Sequence, residues 1–322
     1  VEFADRELAI RQIYKWAEEG MRFPQVIFGP EGCGKTAWLR QSAEILRELG
    51  FEVIYINPLE RSFYAEIGVE DVKRKLLDML METTEAAWAK AVSALIMLVR
   101  ELIEAGKKKI AVLVDDAFQV IGIDKAAIYV KGLLGLIEYP PRSYDNIVAI
   151  VATSEGLSRR EIGRHDWADV WPIWNMPREG FKQLYEQIPG NKPDFDHVWR
   201  LTGGNPRVLA DLYQSRWDVD RVIERLMTRK DITPGLTRRW RTLLEKAIND
   251  PDVLWTEDAP EELINELISK NLIVYNLYER NQGLWIDEPP PERDLELGIG
   301  RFVAWQTPIH KEAVRKALES AR

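Results

Sequence analysis

The sequence predicts an α/β fold: a parallel-sheet core followed by a helical segment and a smaller C-terminal module. Three observations carry this. Short apolar runs bounded by turn residues alternate with stretches of helical periodicity up to about residue 176. A glycine-rich octet at 29–36 falls between one such run and one such helix. Beyond residue 177 the rhythm gives way to helices and then to paired extended segments.

Residues 25–28 (QVIF) lie between Pro24 and Gly29, as a buried strand does. Residues 37–49 set Leu39, Ala43, Leu46 and Leu49 at helical spacing, and Gly50 ends the run as a C-cap. A second strand is expected at 52–56 (EVIYI), then helices near 69–82 and 84–105. The third strand is 109–114 (KIAVLV), followed by a helix near 124–137. The fourth is 147–152 (IVAIVA), and 170–174 offers a fifth. Strands alternating with helices imply crossover connections and a parallel sheet. Helical patterns fill 178–228, broken by GGNP at 203–206, and the turn-rich DITPG at 231–235 marks a join. Helices follow at 236–249 and 260–269, strand-like runs at 272–277 and 283–286, an extended stretch near 297–306 and a helix at 308–320. Helices followed by a hairpin predict a winged-helix-like module, with PPP at 289–291 as a stiff loop or wing tip. The expected division is 1–176, 177–230 and 231–322.

Composition narrows the function classes. A length of 322 residues suggests about two domains. At 46% hydrophobic the chain can bury a substantial core, which excludes disorder as its main state. Lys and Arg number 44 against 52 Asp and Glu, a net charge of −8. A globally basic nucleic-acid binder would lean the other way, so DNA contact is left to a local patch. A single Cys excludes intramolecular disulfides and thiolate metal clusters, and three His argue against a zinc enzyme. The opening VEFADRELAIRQ is charged within five residues, so no secretory leader is expected, and its first residue is Val rather than Met, as in a trimmed or incomplete N-terminus. Apolar runs such as 94–99 fall far short of the ~20 residues of a membrane span. A soluble, cytoplasmic protein with no membrane partner is expected.

The octet reads Gly29-Pro30-Glu31-Gly32-Cys33-Gly34-Lys35-Thr36, a full G-x-x-x-x-G-K-T. Its glycines let backbone N–H groups turn inward around phosphate oxygens, Lys35 reaches the β- and γ-phosphates, and the Thr36 hydroxyl ligates magnesium. The following helix, with Ala37 in its first turn, points its positive end at the same anion. The third strand ends in Asp115-Asp116. Carboxylates there sit at the edge of the sheet where ligands of α/β folds collect. Asp115 is the candidate magnesium ligand, and Asp116 the group that orients or deprotonates the attacking water. In an alternative register Asp116 holds the metal and Ala117 takes the base position; the first is preferred because the apolar run ends at Val114-Asp115. Ala152-Thr153-Ser154-Glu155 closes the fourth strand, where Thr153 or Ser154 can bond the γ-phosphate or the water.

Further segments resemble one family. Phe3-Ala4-Asp5-Arg6-Glu7-Leu8 is similar to the opening of the archaeal ATPases, P-loop proteins related to AAA+ ATPases and to the STAND signal-transduction ATPases. Gly163-Arg164 and Gly203-Gly204-Asn205-Pro206-Arg207 resemble further segments of that family, and the C-terminal helices and hairpin resemble its winged helix. The resemblance implies a P-loop core with strand order 5-1-4-3-2, a helical lid, and ATP or ADP with magnesium as ligands. It implies that the base lies near Arg6 and the lid, that Pro206 faces the nucleotide, and that Arg207 senses phosphate. Arg164 would contact the γ-phosphate in cis or across subunits of an oligomer. The family usually has Asp-Glu where this chain has Asp115-Asp116. Asp is one methylene shorter, about 1–1.5 Å of reach, and about 1 Å of misplacement can cost about a hundredfold. Slow hydrolysis is expected, which favours a switch that holds its nucleotide over the other reading, a hydrolysing motor or remodelling enzyme. The segment 231–322 carries 12 Lys and Arg against 17 Asp and Glu, a balance of −5. That favours a protein partner or intramolecular docking over DNA, although Arg238-Arg239-Trp240-Arg241 is a basic cluster.

Overall fold

A computed structural model describes residues 2–81, 84–154 and 156–320. The chain forms two compact units: one of Glu7–Phe28 with Lys35–Trp171, the other of Val1–Arg6, Gly29–Gly34 and Pro172–Arg322.

The first unit holds the sheet. Its strands are β1 (Gln25–Phe28), β2 (Glu52–Asn57), β3 (Ser62–Glu66), β4 (Lys109–Asp115), β5 (Asn146–Thr153) and β6 (Asp169–Pro172), in the order β3-β2-β4-β5-β1-β6. The pairs β1–β5, β4–β5 and β2–β4 are parallel. The expected order is therefore present, with the fourth predicted strand, β5, between β1 and β4. β5 is buried along its whole length and β4 beyond Lys109, so both read as continuous apolar runs rather than alternating ones. Ile110, Val112 and Val114 share one face by the two-residue period of a strand. There they pack with Leu95, Leu98 and Leu102 of the helix Glu85–Glu104 and Val130 and Leu133 of Ala126–Glu138. The helix Lys35–Glu48 packs on β2 and β4, and Glu7–Glu19 on β5. The Asn146 amide fixes the latter contact by donating to the Trp16 and Ala17 carbonyls at 2.9 and 2.8 Å.

Two differences from the expected elements have local causes. β3 was not foreseen: it is an antiparallel edge strand paired with β2, and its sequence SFYAE lacks an apolar run because no residue in it is fully buried. The preceding turn is closed by Asn57 Oδ1, which accepts the Glu60 N–H at 2.9 Å. The predicted helix 124–137 is preceded by a short helix Phe118–Ile121 and a 3-10 turn Ile123–Lys125. The expected helix end at residue 82, and Glu155, lie outside the described residues.

The second unit is mainly helical. Arg178–Glu186, Phe195–Thr202, Pro206–Gln214 and Val219–Arg229 fill the stretch where helices were expected. Phe181, Tyr185 and Val198 pack with Phe195 and Trp199 at their centre. The expected helix 236–249 is interrupted at Trp240, giving Pro234–Arg239 and Arg241–Asn249. After the helix Glu261–Ser269, β7 (Ile273–Tyr275) pairs antiparallel with β8 (Val303–Trp305), and Pro308–Ser320 closes the chain. The strand-like run 283–286 is not a strand. Asn281 caps a 3-10 turn at Gln282–Leu284, and the Ile286 N–H donates to the Pro172 carbonyl at 3.1 Å instead of to a ladder. Trp285 and Ile286 are buried, which is why they read as strand. No helix among the described residues is long and apolar enough to cross a membrane.

Candidate functional site

In the sheet unit, parallel registry brings the ends of three strands together. Asp115 lies opposite Ala152, and Phe28 opposite Thr153. Asp115 is wholly buried. Its Oδ2 accepts from Asn57 Nδ2 at 2.9 Å and from the Tyr55 hydroxyl at 3.2 Å. Its Oδ1 is buried with no hydrogen-bond partner. Burial first, and then the Asp116 charge, push the Asp115 carboxyl up to about 6, against the Thr36 hydroxyl beside it, the Lys35 ammonium and the Asn57 amide. A buried carboxylate oxygen left unsatisfied is costly unless a cation or donor meets it. Lys35 and Thr36 open the helix Lys35–Glu48; Lys35 is buried and Ala37 exposed.

Asp116 has a left-handed backbone, φ 46°. Asp and Asn adopt that region more readily than other side chains with a Cβ. Its N–H donates to the Ala152 carbonyl at 3.0 Å, and Ser154 Oγ stands 3.5 Å from its Oδ1, at the limit of a hydrogen bond. Thr153 and Ser154 are both buried. Ala117 is buried at the cap of the helix Phe118–Ile121. Arg164, just beyond the helix Gly156–Gly163, is exposed and pairs with Glu161 at 3.1 Å.

The loop 29–34 is held within the second unit. Gly32 and Gly34 have φ of 76° and 105°, which side chains rarely adopt. A Cβ on Gly29 would meet the Ile173 carbonyl oxygen at 2.1 Å, so the backbone approaches too closely for any other residue. The Cys33 N–H donates to the Pro30 carbonyl at 3.2 Å, and the Cys33 side chain is buried. Arg6, 2% exposed, donates Nη1 to Asp287 at 2.7 Å and Nη2 to the carbonyls of Cys33 and Trp174. The Glu31 N–H donates to Gln306 Oε1 at 2.8 Å, and its carbonyl accepts from Asn205 Nδ2 at 2.9 Å. Its carboxylate pairs with Lys230. Burial alone would raise the Glu31 pKa, but Lys230 above all, with His310 and Arg229, lowers it. Pro206 takes the first turn of its helix behind Asn205, whose Oδ1 caps the Val208 N–H at 3.1 Å. The Arg207 N–H donates to the Gly32 carbonyl at 3.2 Å.

Residues 3–212 match the family model of an ATPase domain predominantly from Archaea. The chain belongs to this family. It is an ATPase, as the resemblance of its motifs implied, and it binds nucleotide. No curated protein sequence matches it. Solved structures similar to it include AMPPCP-bound DnaA from Aquifex aeolicus, at 14% identity over 81% of this chain and 75% of that one, with a TM-score of 0.40. A replication initiator DnaA bound to AMPPCP and single-stranded DNA is 17% identical over 77% and 68%, TM-score 0.38. A DNA replication initiation factor is 15% identical over 81% and 75%, TM-score 0.38.

Sequence reading missed the residues that hold the predicted ones. Tyr55 and Asn57 close the strand beside Asp115, and Asn57 stands where a polar residue first follows EVIYI. Asn205 was readable as an N-cap ahead of Pro206. Lys230 and Gln306 leave no local signal, because they meet Glu31 across long separations in sequence; Asp287 and Asn175 leave none either, because they meet Arg6 and Asn205, which hold the loop.

Proposed function

We propose that this ATPase binds ATP with magnesium at residues 29–36 and hydrolyses it slowly, and that nucleotide state sets the disposition of a C-terminal winged-helix-like module. The observation that carries the reading is the buried, unpartnered Oδ1 of Asp115 beside the Thr36 hydroxyl. Hard oxygen donors suit magnesium, so Thr36 and Asp115 would hold it. Bound there, the ion would neutralise phosphate charge. The inward N–H groups of the loop cradle the phosphates, and Lys35 neutralises charge on the β- and γ-phosphoryl oxygens. Asp116 orients the attacking water, with Thr153 and Ser154 bonding the γ-phosphate or that water. Pro206 and Arg207 face the nucleotide from a lid of residues 177–230, which follows a core of 1–176 in sequence. Arg164, exposed, is available to a neighbouring copy in an oligomer. The γ-phosphate gives the differential contacts that bias a two-state element.

A DNA-binding regulator is the alternative. Each Arg of the basic cluster is engaged within the second unit: Arg238 bonds the Pro234 carbonyl, Arg239 pairs with Glu262, and Arg241 pairs with Glu245. Together with the −5 balance of 231–322, this favours a protein partner or intramolecular docking. The test is ATP binding and phosphate release with magnesium and with EDTA, for the wild type and Asp115→Asn. Magnesium-dependent turnover that Asp115→Asn abolishes is expected; equal turnover in EDTA would overturn the metal assignment. Duplex binding by the full chain with a steep salt slope would promote the alternative.

A further inference from the structure

Glu31 occupies a variable position of the phosphate loop, yet each of its polar groups is taken by a residue far along the chain. Its N–H goes to Gln306, its carbonyl to Asn205 and its carboxylate to Lys230. Gln306 and Asn205 are joined behind it through Asn175, which donates Nδ2 to the Gln306 carbonyl at 3.0 Å and accepts from Asn205 Nδ2 at 2.8 Å. Asn175, Asn205 and Gln306 are all buried, and the Lys230 side chain is 10% exposed. Two loop residues on, the Cys33 carbonyl is held by Arg6, itself paired with Asp287. A phosphate loop needs its N–H groups free to face the anion, and here the Glu31 N–H is committed elsewhere. The Cys33 N–H turns to the Pro30 carbonyl within the loop, so Gly32 and Gly34 are left to face the anion, and Glu31 is the part gripped from outside the loop.

We infer that Glu31 is the handle through which Lys230, Asn205 and Gln306 fix the shape of the phosphate loop, making these three residues positioning residues for nucleotide retention. This rests on the reading of 29–36 as the nucleotide site. The loop keeps its phosphate-binding form while the segments carrying Lys230 and Gln306 stay docked on Glu31, and losing either grip speeds nucleotide release. By linkage, bound nucleotide tightens the same contacts.

The test uses the full chain, the fluorescent analogue N-methylanthraniloyl-ATP and magnesium, with release followed by stopped-flow chase. Gln306→Leu keeps volume and removes the acceptor; release about three- to tenfold faster is expected for one lost hydrogen bond. Lys230→Met should give a similar acceleration. In a Glu31→Gln background Lys230→Met should add less than about twofold, because its partner charge is already gone. A direct field of Lys230 on the phosphates would instead persist there. Wild-type release in Gln306→Leu, or an undiminished Lys230→Met effect in that background, overturns the inference. If these variants do not fold, amide exchange in the wild type decides. Nucleotide should raise protection across β8 and Gln306, and unchanged protection there overturns the proposal. Wild type that binds no analogue, or Lys35→Ala that binds it equally well, would instead sink the nucleotide-site reading itself.

Discussion

The Arg6–Asp287 ion pair is buried on both sides, with both side chains 3% exposed. Asp287→Ala would leave the Arg6 guanidinium hydrogen-bonded only to the Cys33 and Trp174 carbonyls, with no ion-pair partner and only the field of the Glu288 carboxylate in place of its counter-ion. Breaking a buried pair from one side costs about 3–5 kcal/mol, because the remaining ion keeps its desolvation penalty. Asp287→Asn retains an acceptor of the same size and should cost about half as much, since a hydrogen bond to a charged group is worth about 1.5–3 kcal/mol. Replacing both partners with apolar residues, Arg6→Met with Asp287→Leu, should restore much of the loss, as buried pairs exchanged for apolar contacts often do. Trp174 and Trp285 meet edge-on, with ring centroids 6.5 Å apart, in the same unit, and they report its unfolding by fluorescence. With a urea slope of about 2 kcal/mol/M, the Ala variant should lower the midpoint by about 1.5–2.5 M. A midpoint within about 0.5 M of wild type, or a double variant less stable than Asp287→Ala, would refute the account of Arg6 as a buried, counter-charged anchor of the loop.

Three further outcomes are expected. Lys35→Ala should abolish ATP retention in a folded protein, measured by nucleotide content after purification; unchanged affinity would show that Lys35 is not the phosphate-binding lysine. Asp116→Glu should raise steady-state phosphate release by restoring carboxylate reach, at a strain cost of about 1 kcal/mol for a bulkier residue with a left-handed backbone; equal or lower turnover with intact binding would remove Asp116 from the water-activating role. His310 is held down to about 3 by burial first, then by the Lys230 charge, with Glu31 opposing and Arg229 adding, while its Nδ1 meets the Thr307 hydroxyl at 2.8 Å. Both states are neutral there above about pH 6.5. Below that the unfolded chain takes the proton first, so stability should fall by about 1.4 kcal/mol per pH unit toward pH 5. His310→Gln should flatten that slope in urea titrations at pH 7 and 5, and an unaltered slope would assign acid sensitivity elsewhere.

The parts of this protein that are legible in its sequence are those whose cause is local. A strand buried on both faces must be apolar along its length, so 109–114 and 147–152 announce themselves. A loop with φ of 76° and 105° requires glycine, so Gly32 and Gly34 stand out. β3 and the turn at Gln282–Leu284 are obscured because their pattern comes from tertiary partners, the β2 edge in one case and the Pro172 carbonyl in the other. The same division runs through the site. Lys35, Thr36 and Asp115 are read from short motifs, whereas Asn57, Asn205 and Gln306 act by meeting them or their neighbours across the fold. The Asp-for-Glu departure at Asp116 belongs to both classes. From the motif alone it is a lost methylene. With φ at 46° it also suits a backbone that turns left-handed as β4 ends, a conformation a longer side chain with no local hydrogen bond would resist. Shorter reach and the turn are then two consequences of one choice, and the turnover of Asp116→Glu weighs them against each other.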